Sequence, residues 1–209
     1  YGPGTENFIN RDGSNDAALQ AHAMGIGPTV LHYDKDTGLE VIEFLEGYRA
    51  STTADYARKD FLEHVIDLYS KFHSGKPLSD TKDVFEMTQE HIDQGSELGV
   101  HRPVDFEWLY QQYSKAKDAF VASGLDLVPC HNDPMPGNFM VTMADDAITD
   151  MKMIDYEYAS NNERAYELGV FLAEVFVDEI TSLEMIERYF GEVRSEMVAR
   201  VTVARAVAD

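Results

Sequence analysis

The sequence predicts an α+β fold of two unequal lobes, and three observations carry that reading. Two short alternating runs precede Gly47, helical apolar spacing dominates afterwards, and one hairpin pattern between Phe139 and Ile154 interrupts the helices. With 209 residues, 44% of them hydrophobic and 26% charged, the chain can bury a substantial core. The shift from hairpin-rich to helix-rich pattern divides it into residues 1–47, ending in a hinge, and residues 48–209.

Taken in order, Asn15 to Met24 has helical character, with Ser14 and Asp16 as caps and Gly25-Ile26-Gly27-Pro28 as the stop. Thr29–Tyr33 and Leu39–Leu45 alternate as strands around the turn Asp36-Thr37-Gly38. Phe61, Val65, Leu68, Tyr69 and Phe72 recur at helical spacing, and His73-Ser74-Gly75-Lys76-Pro77 closes that helix. Between Pro77 and Pro103 the apolar residues Val84, Phe85, Met87 and Ile92 fit a helix only loosely, and Gly95 interrupts them. A helix follows from Phe106 to Phe120, with Trp108 read as core, and Cys130 suits a buried strand end. Beyond the hairpin, Leu168, Phe171, Leu172, Val175 and Phe176 mark one apolar face. A helical pattern from Leu183 through Val203 continues it with Ile186, Tyr189, Phe190, Val193 and Met197, and the stretch is still helical at Val207-Ala208-Asp209.

Charge and composition exclude several function classes. Thirty-eight acidic against 17 basic residues, a formal net charge of −21, oppose nucleic acid as a partner and favour a cationic one. No apolar run is long enough to span a membrane, and the chain opens on Tyr-Gly-Pro-Gly without a basic, then apolar, leader. A lone cysteine forms no internal disulfide. A cytoplasmic setting without membrane insertion is expected.

The chemistry sits in His131-Asn132-Asp133-Pro134-Met135-Pro136-Gly137-Asn138-Phe139 and in Met153-Ile154-Asp155-Tyr156-Glu157-Tyr158. Pro134, Pro136 and Gly137 force a loop, after which Phe139–Val141 and Met151–Ile154 read as antiparallel strands around a polar turn at Ala144, Asp145 and Asp146. In such a hairpin the start of one strand lies beside the end of the other, so Asn138 and Asp155 should meet, with Asp133 in the adjoining loop. A carboxylate that takes a hydroxyl proton, beside an amide oxygen and a second carboxylate that hold Mg²⁺, is the side-chain set of a phosphoryl-transfer site. Asn-Asp-Pro and Pro-Gly-Asn are also ordinary turn sequences, and Asp after a strand is an ordinary cap. His131 is assigned to bracing backbone carbonyls.

These runs resemble the choline/ethanolamine kinase family, within the kinase-like small-molecule phosphotransferases that include the aminoglycoside kinases. By resemblance Asp133 is the catalytic base, and Asn138 and Asp155 bind Mg²⁺ on the phosphates of ATP. The continuation through Ala159, Asn162, Arg164, Tyr166 and Leu168-Gly169 also looks like that family's, with Glu167 where the family has Asp. The resemblance implies a protein-kinase-like, two-lobed fold. Its hinge at Glu46-Gly47 would offer backbone groups of Glu43, Phe44 and Leu45 to adenine, while Glu157, Tyr158 and Glu167 meet a cationic amino alcohol, choline or ethanolamine. His131 and Arg164 are structural supports, and a homodimer is compatible with the family.

The same resemblance makes the small lobe truncated, because a phosphate loop and a basic strand residue precede the matching segment in the family. Gly2-Pro3-Gly4-Thr5 is a weak phosphate loop of its own, and Ser14 falls where the family has the Glu that pairs with the basic residue. In that family a tryptophan-containing helical segment that helps box the quaternary ammonium follows the matching stretch. The alternatives are a kinase-like module that binds without transferring phosphate, an aminoglycoside-type kinase, and a metal hydrolase using His131, Asp133 and Asp155.

Overall fold

A computed structural model describes residues 9–208. The expectations for Gly2-Pro3-Gly4-Thr5 and for Asp209 lie outside the described residues. Helix α1 (Arg11–Ala23) starts earlier than its apolar spacing suggests, because Asn10 rather than Ser14 or Asp16 is the cap and accepts from the Gly13 N–H at 3.1 Å. Its buried face is made of small residues, Gly13, Ser14, Ala17, Ala18 and Ala21. That face lets the helix lie close against the larger lobe, where Asp16 accepts from the Ser79 N–H at 2.7 Å and Gln20 donates to the Lys76 carbonyl at 3.0 Å. Strands β1 (Val30–Asp34) and β2 (Leu39–Ile42) pair antiparallel, with β2 ending before the expected Leu45. Tyr33 and Asn15 tie this hairpin to α1 through Asp12 and Glu40.

The segment after β2 is fastened to the rest of the fold by a strand that the sequence pattern does not reveal. β3 (Arg49–Ala50) joins a three-stranded sheet in the order β3-β5-β6, where β5 is Phe139–Ala144 and β6 is Ala147–Met153. Arg49 lies opposite Val141, and the Tyr48 hydroxyl donates to Asp150 on β6. Asp145 and Asp146 both adopt positive φ, 48° and 65°, at the tight turn between β5 and β6. Phe139 is fully buried among Phe61, Tyr69 and Phe171, with ring centroids 6.1–6.4 Å away. Burying such a ring contributes about 1.5–3 kcal/mol and locks the start of β5.

Helix α2 (Lys59–His73) supplies Phe61, Val65, Leu68, Tyr69 and Phe72 to this core, as its spacing predicts. Residues 84–97 form a regular helix, α3 (Val84–Glu97), despite their loose pattern. Asp83 and Glu86 build a capping box at its start, and only Val84 and Phe85 are buried. On α4 (Phe106–Ser123) the buried residue is Phe120. Trp108 is 61% exposed, so the expectation of a core tryptophan fails. β4 (Leu127–Cys130) ends on a fully buried Cys130 and pairs antiparallel with β7 (Ser160–Glu163), whose four polar residues are all buried.

Helix α5 (Arg164–Glu174) follows, with Leu168, Phe171 and Leu172 in the core. Phe176, expected on that face, is 89% exposed because the chain turns there at φ 51°. The pattern from Leu183 to Val203 is two helices, α6 (Glu179–Phe190) and α7 (Ser195–Ala208). Gly191 separates them in the left-handed conformation, and Val193 is left exposed. α5 crosses α7 at Gly169, where an added Cβ would lie 2.6 Å from the Arg205 nitrogen. No helix among the described residues is long and apolar enough to cross a membrane.

Candidate active site

The site forms where the β5–β6 hairpin meets the loop that leaves β4. Register places Phe139 opposite Met153, and the Ile154 N–H donates to the Asn138 carbonyl at 3.0 Å, so Asn138 and Asp155 emerge side by side. Asp155 turns the chain out of β6 at φ 67°, a conformation uncommon for a non-glycine residue and often stored at functional sites. Asp133 is drawn to the same end. The Asn138 side-chain N–H donates to its Oδ2 at 2.8 Å and to its carbonyl at 3.2 Å. With its nitrogen committed to Asp133, the Asn138 amide has Oδ1 left as its acceptor atom.

His131 is fully buried and both ring nitrogens are occupied by backbone. Nδ1 accepts from the Asp133 N–H at 3.3 Å, so Nε2 carries the proton and donates to the Ile154 carbonyl at 2.8 Å. One ring therefore links the residue that precedes Asp155 to the backbone of Asp133. It has no lone pair left for a metal, which removes the hydrolase alternative built on His131. The loop is held from below by Tyr56, whose hydroxyl donates to the Pro134 carbonyl at 2.9 Å, and by Ser51, which donates to that of Pro136.

Acidic groups crowd this end of the hairpin. Burial pushes the Glu157 carboxyl above the usual range, and the nearby charges of Asp155 and Asp133 push it further. Tyr158 is raised in the same way, by burial first and then by Glu157, Asp133 and Asp155. An amide oxygen and a carboxylate are hard donors of the kind Mg²⁺ takes, so Asn138 and Asp155 fit that ion. Glu157, Tyr158 and Ser160 line a small cleft with Lys82 and with Met87, Glu90 and His91 on α3, where Lys82 pairs with Glu90. The α3 wall escaped the sequence reading, and its readable signal was the Asp83…Glu86 capping box.

One expected site residue needs restating. Glu167, expected at the cationic substrate, is fully buried. One of its oxygens accepts from the Asn132 N–H at 2.6 Å and the other binds His73 Nε2 at 2.5 Å. It braces the loop from behind and does not face the cleft. Arg164 pairs with Asp126 at 2.6 Å, at the junction of β7 and α5. Glu43 follows β2, where its N–H donates to the Thr29 carbonyl and its carboxylate accepts from the Thr29 hydroxyl at 2.6 Å. Phe44 is 87% exposed.

The polar strand β7 works as a bracket. Asn161 bonds the backbone at Leu78 and Asp80, and Asn162 accepts from the Val84 N–H at 2.8 Å and donates to the Asn132 side-chain oxygen at 2.9 Å. Glu163 accepts two hydrogen bonds from Arg200 at 2.9 Å each.

Comparison with known proteins gives the same architecture. A choline/ethanolamine kinase family protein from Mesorhizobium loti superposes with a TM-score of 0.82 at 27% identity, over 96% of this chain and 67% of that one. A choline kinase from Streptococcus pneumoniae superposes at 0.78 with 20% identity, over 100% of this chain and 73% of the other. An ethanolamine kinase of Drosophila melanogaster is 25% identical over 206 residues, which are 91% of this chain and 39% of that enzyme. The fold is thus protein-kinase-like, and the chain spans less than half the length of that curated relative. With the choline/ethanolamine kinase model matching residues 1–192, the chain belongs to the choline/ethanolamine kinase family.

Proposed function

We propose that this protein transfers the γ-phosphoryl group of ATP to the hydroxyl of a small amino alcohol, choline or ethanolamine. The supporting observation is the convergence of Asp133, Asn138 and Asp155 at one end of the hairpin, with the Asn138 amide donating to Asp133. Mg²⁺, when bound by Asn138 and Asp155, neutralises charge on the phosphates. Asp133 keeps one carboxylate oxygen for the substrate hydroxyl while the other accepts from Asn138, so it orients that hydroxyl and takes its proton late. Glu157 and Tyr158 hold the cationic head against α3. Since the Glu43 N–H is committed to Thr29, the hinge offers adenine the Glu43 carbonyl and the Leu45 N–H. The division at residue 47, with nucleotide above and alcohol below, follows from this reading.

Asp133→Ala in the full-length protein should lower kcat by about 10²–10⁴-fold while Mg-nucleotide still binds in a calorimetric titration. Turnover equal to wild type removes Asp133 from the proton-accepting role. One observation favours binding without transfer: the Asp16 carboxylate, two positions after Ser14, is already engaged by the Ser79 N–H. Tight Mg-dependent nucleotide binding without product would select that alternative.

A further inference from the structure

We propose that Arg164, Tyr189 and His73 form, through Glu167, a directed chain of hydrogen bonds that fixes the Asn132 peptide and makes His73 and Tyr189 positioning residues for Asp133. The inference rests on the reading of Asp133 as the acceptor of the substrate proton. Asn132 precedes Asp133 and adopts φ 67°, a left-handed conformation that surrounding contacts must sustain. Four groups fix it. Its N–H donates to Glu167 at 2.6 Å, its side-chain nitrogen donates to the Tyr158 carbonyl at 2.8 Å and to the Ser160 hydroxyl at 3.0 Å, and its side-chain oxygen accepts from Asn162 at 2.9 Å.

Of these bonds, the one to Glu167 holds the Asn132 peptide itself. Behind Glu167, His73 is buried with Nε2 against the carboxylate at 2.5 Å and Nδ1 against the Tyr189 hydroxyl at 2.6 Å. Donor and acceptor chemistry favours one polarity. Arg164 has only donors, so the Tyr189 oxygen accepts from it, at 3.4 Å, and the Tyr189 hydroxyl proton finds its acceptor in His73 Nδ1. That leaves the imidazole proton on Nε2, facing Glu167, while Glu167 accepts on both oxygens. Burial pushes the Tyr189 phenol well above its ordinary value, which keeps its proton in place. The Tyr69 ring, stacked on His73 at 5.9 Å and 7°, fixes the imidazole plane.

Cys130 Sγ lies 3.8 Å from His73 Nε2, so His, Cys and Glu atoms cluster as metal ligands do. The spacing argues against an ion. Two donors sharing a metal at about 2.0–2.1 Å each lie roughly 3 Å apart or more, whereas His73 and Glu167 are at hydrogen-bond distance. Burial also holds the Cys130 thiol protonated.

Tyr189→Phe tests the chain, because it deletes one hydroxyl and leaves the ring volume in place. In the full-length protein we expect nitrogen NMR to find the His73 proton on Nε2, and the Asn132 amide resonance to move in Tyr189→Phe. We also expect kcat to fall about tenfold at unchanged nucleotide affinity. His73→Gln, which retains a donor for Glu167, should keep more activity than His73→Leu. A proton on His73 Nδ1, or an Asn132 resonance and kcat both unmoved by Tyr189→Phe, overturns the proposal. If wild type forms no product with either alcohol, the functional reading fails on its own, and the His73 tautomer and the Asn132 resonance still decide the chain.

Discussion

Asn138 serves two neighbours at once, and that dual use makes it the sharpest residue to change. Its nitrogen donates to Asp133 and its oxygen is the amide ligand of the proposed ion. Asn138→Asp would preserve an oxygen ligand but set a second carboxylate where the donor stood, 2.8 Å from Asp133. Two carboxylates that close do not both ionise, so Asp133 would carry a proton when the hydroxyl needs an acceptor. Expected is a fall in kcat of at least about 100-fold with nucleotide affinity little changed, measured by steady-state rates and calorimetry. An undiminished kcat would separate Asn138 from the chemistry. At this scale the loop and the acids around it were legible in the sequence, since Pro134, Pro136 and Gly137 dictate the loop locally. Glu167 was not, because its direction depends on His73, 94 positions away along the chain.

The short strands are the elements that hold the site to its supports, and β3 depends on one ion pair. Asp55 is buried and accepts two hydrogen bonds from Arg49, at 2.7 and 2.8 Å, as well as the Thr52 N–H. Arg49, chiefly, holds the Asp55 carboxyl well below the usual carboxylate range. A depressed folded-state pKa contributes stability that is present above the unfolded value of about 3.9 and is lost as pH falls through the folded one. Chemical unfolding below about pH 4 should therefore show a declining free energy, and Asp55→Asn should flatten that decline while costing about 1–2 kcal/mol at neutral pH. A second element test is Gly169→Ala, whose new methyl must push α5 from α7. A loss of about 1–3 kcal/mol in urea unfolding is expected. The β5–β6 hairpin was readable because turn and partners lie within one stretch. β3 and the β4–β7 pair were not, since Arg49 finds Val141 and Leu127 finds Glu163 only after the chain has folded. α3 was faint because two buried residues make almost no stripe, and the Leu183–Val203 pattern hid its break because apolar spacing continues across Gly191.

Across the whole molecule the net charge of −21 acts on both proposed substrates, with opposite sign. An amino alcohol is a cation and is concentrated by the field, whereas Mg-nucleotide remains an anion and is opposed by it. Salt shortens the screening length to about 8 Å at 0.15 M and about 3 Å at 1 M, so both influences fade together. The KM for the alcohol should accordingly rise with salt while that for Mg-nucleotide falls, with kcat nearly constant. Initial rates over a range of potassium chloride would measure this, with ethylene glycol as an uncharged acceptor that should show no such dependence. Glu157 and Glu90 line the same cleft, where Glu90 pairs with Lys82, so Glu90→Gln, which leaves that ammonium uncompensated, should raise the KM for the alcohol and leave the salt slope for the nucleotide in place. If both Michaelis constants moved in the same direction, the acidic field would be acting on solubility alone, and recognition of the cation would rest on the cleft's contacts rather than on the charge of the molecule.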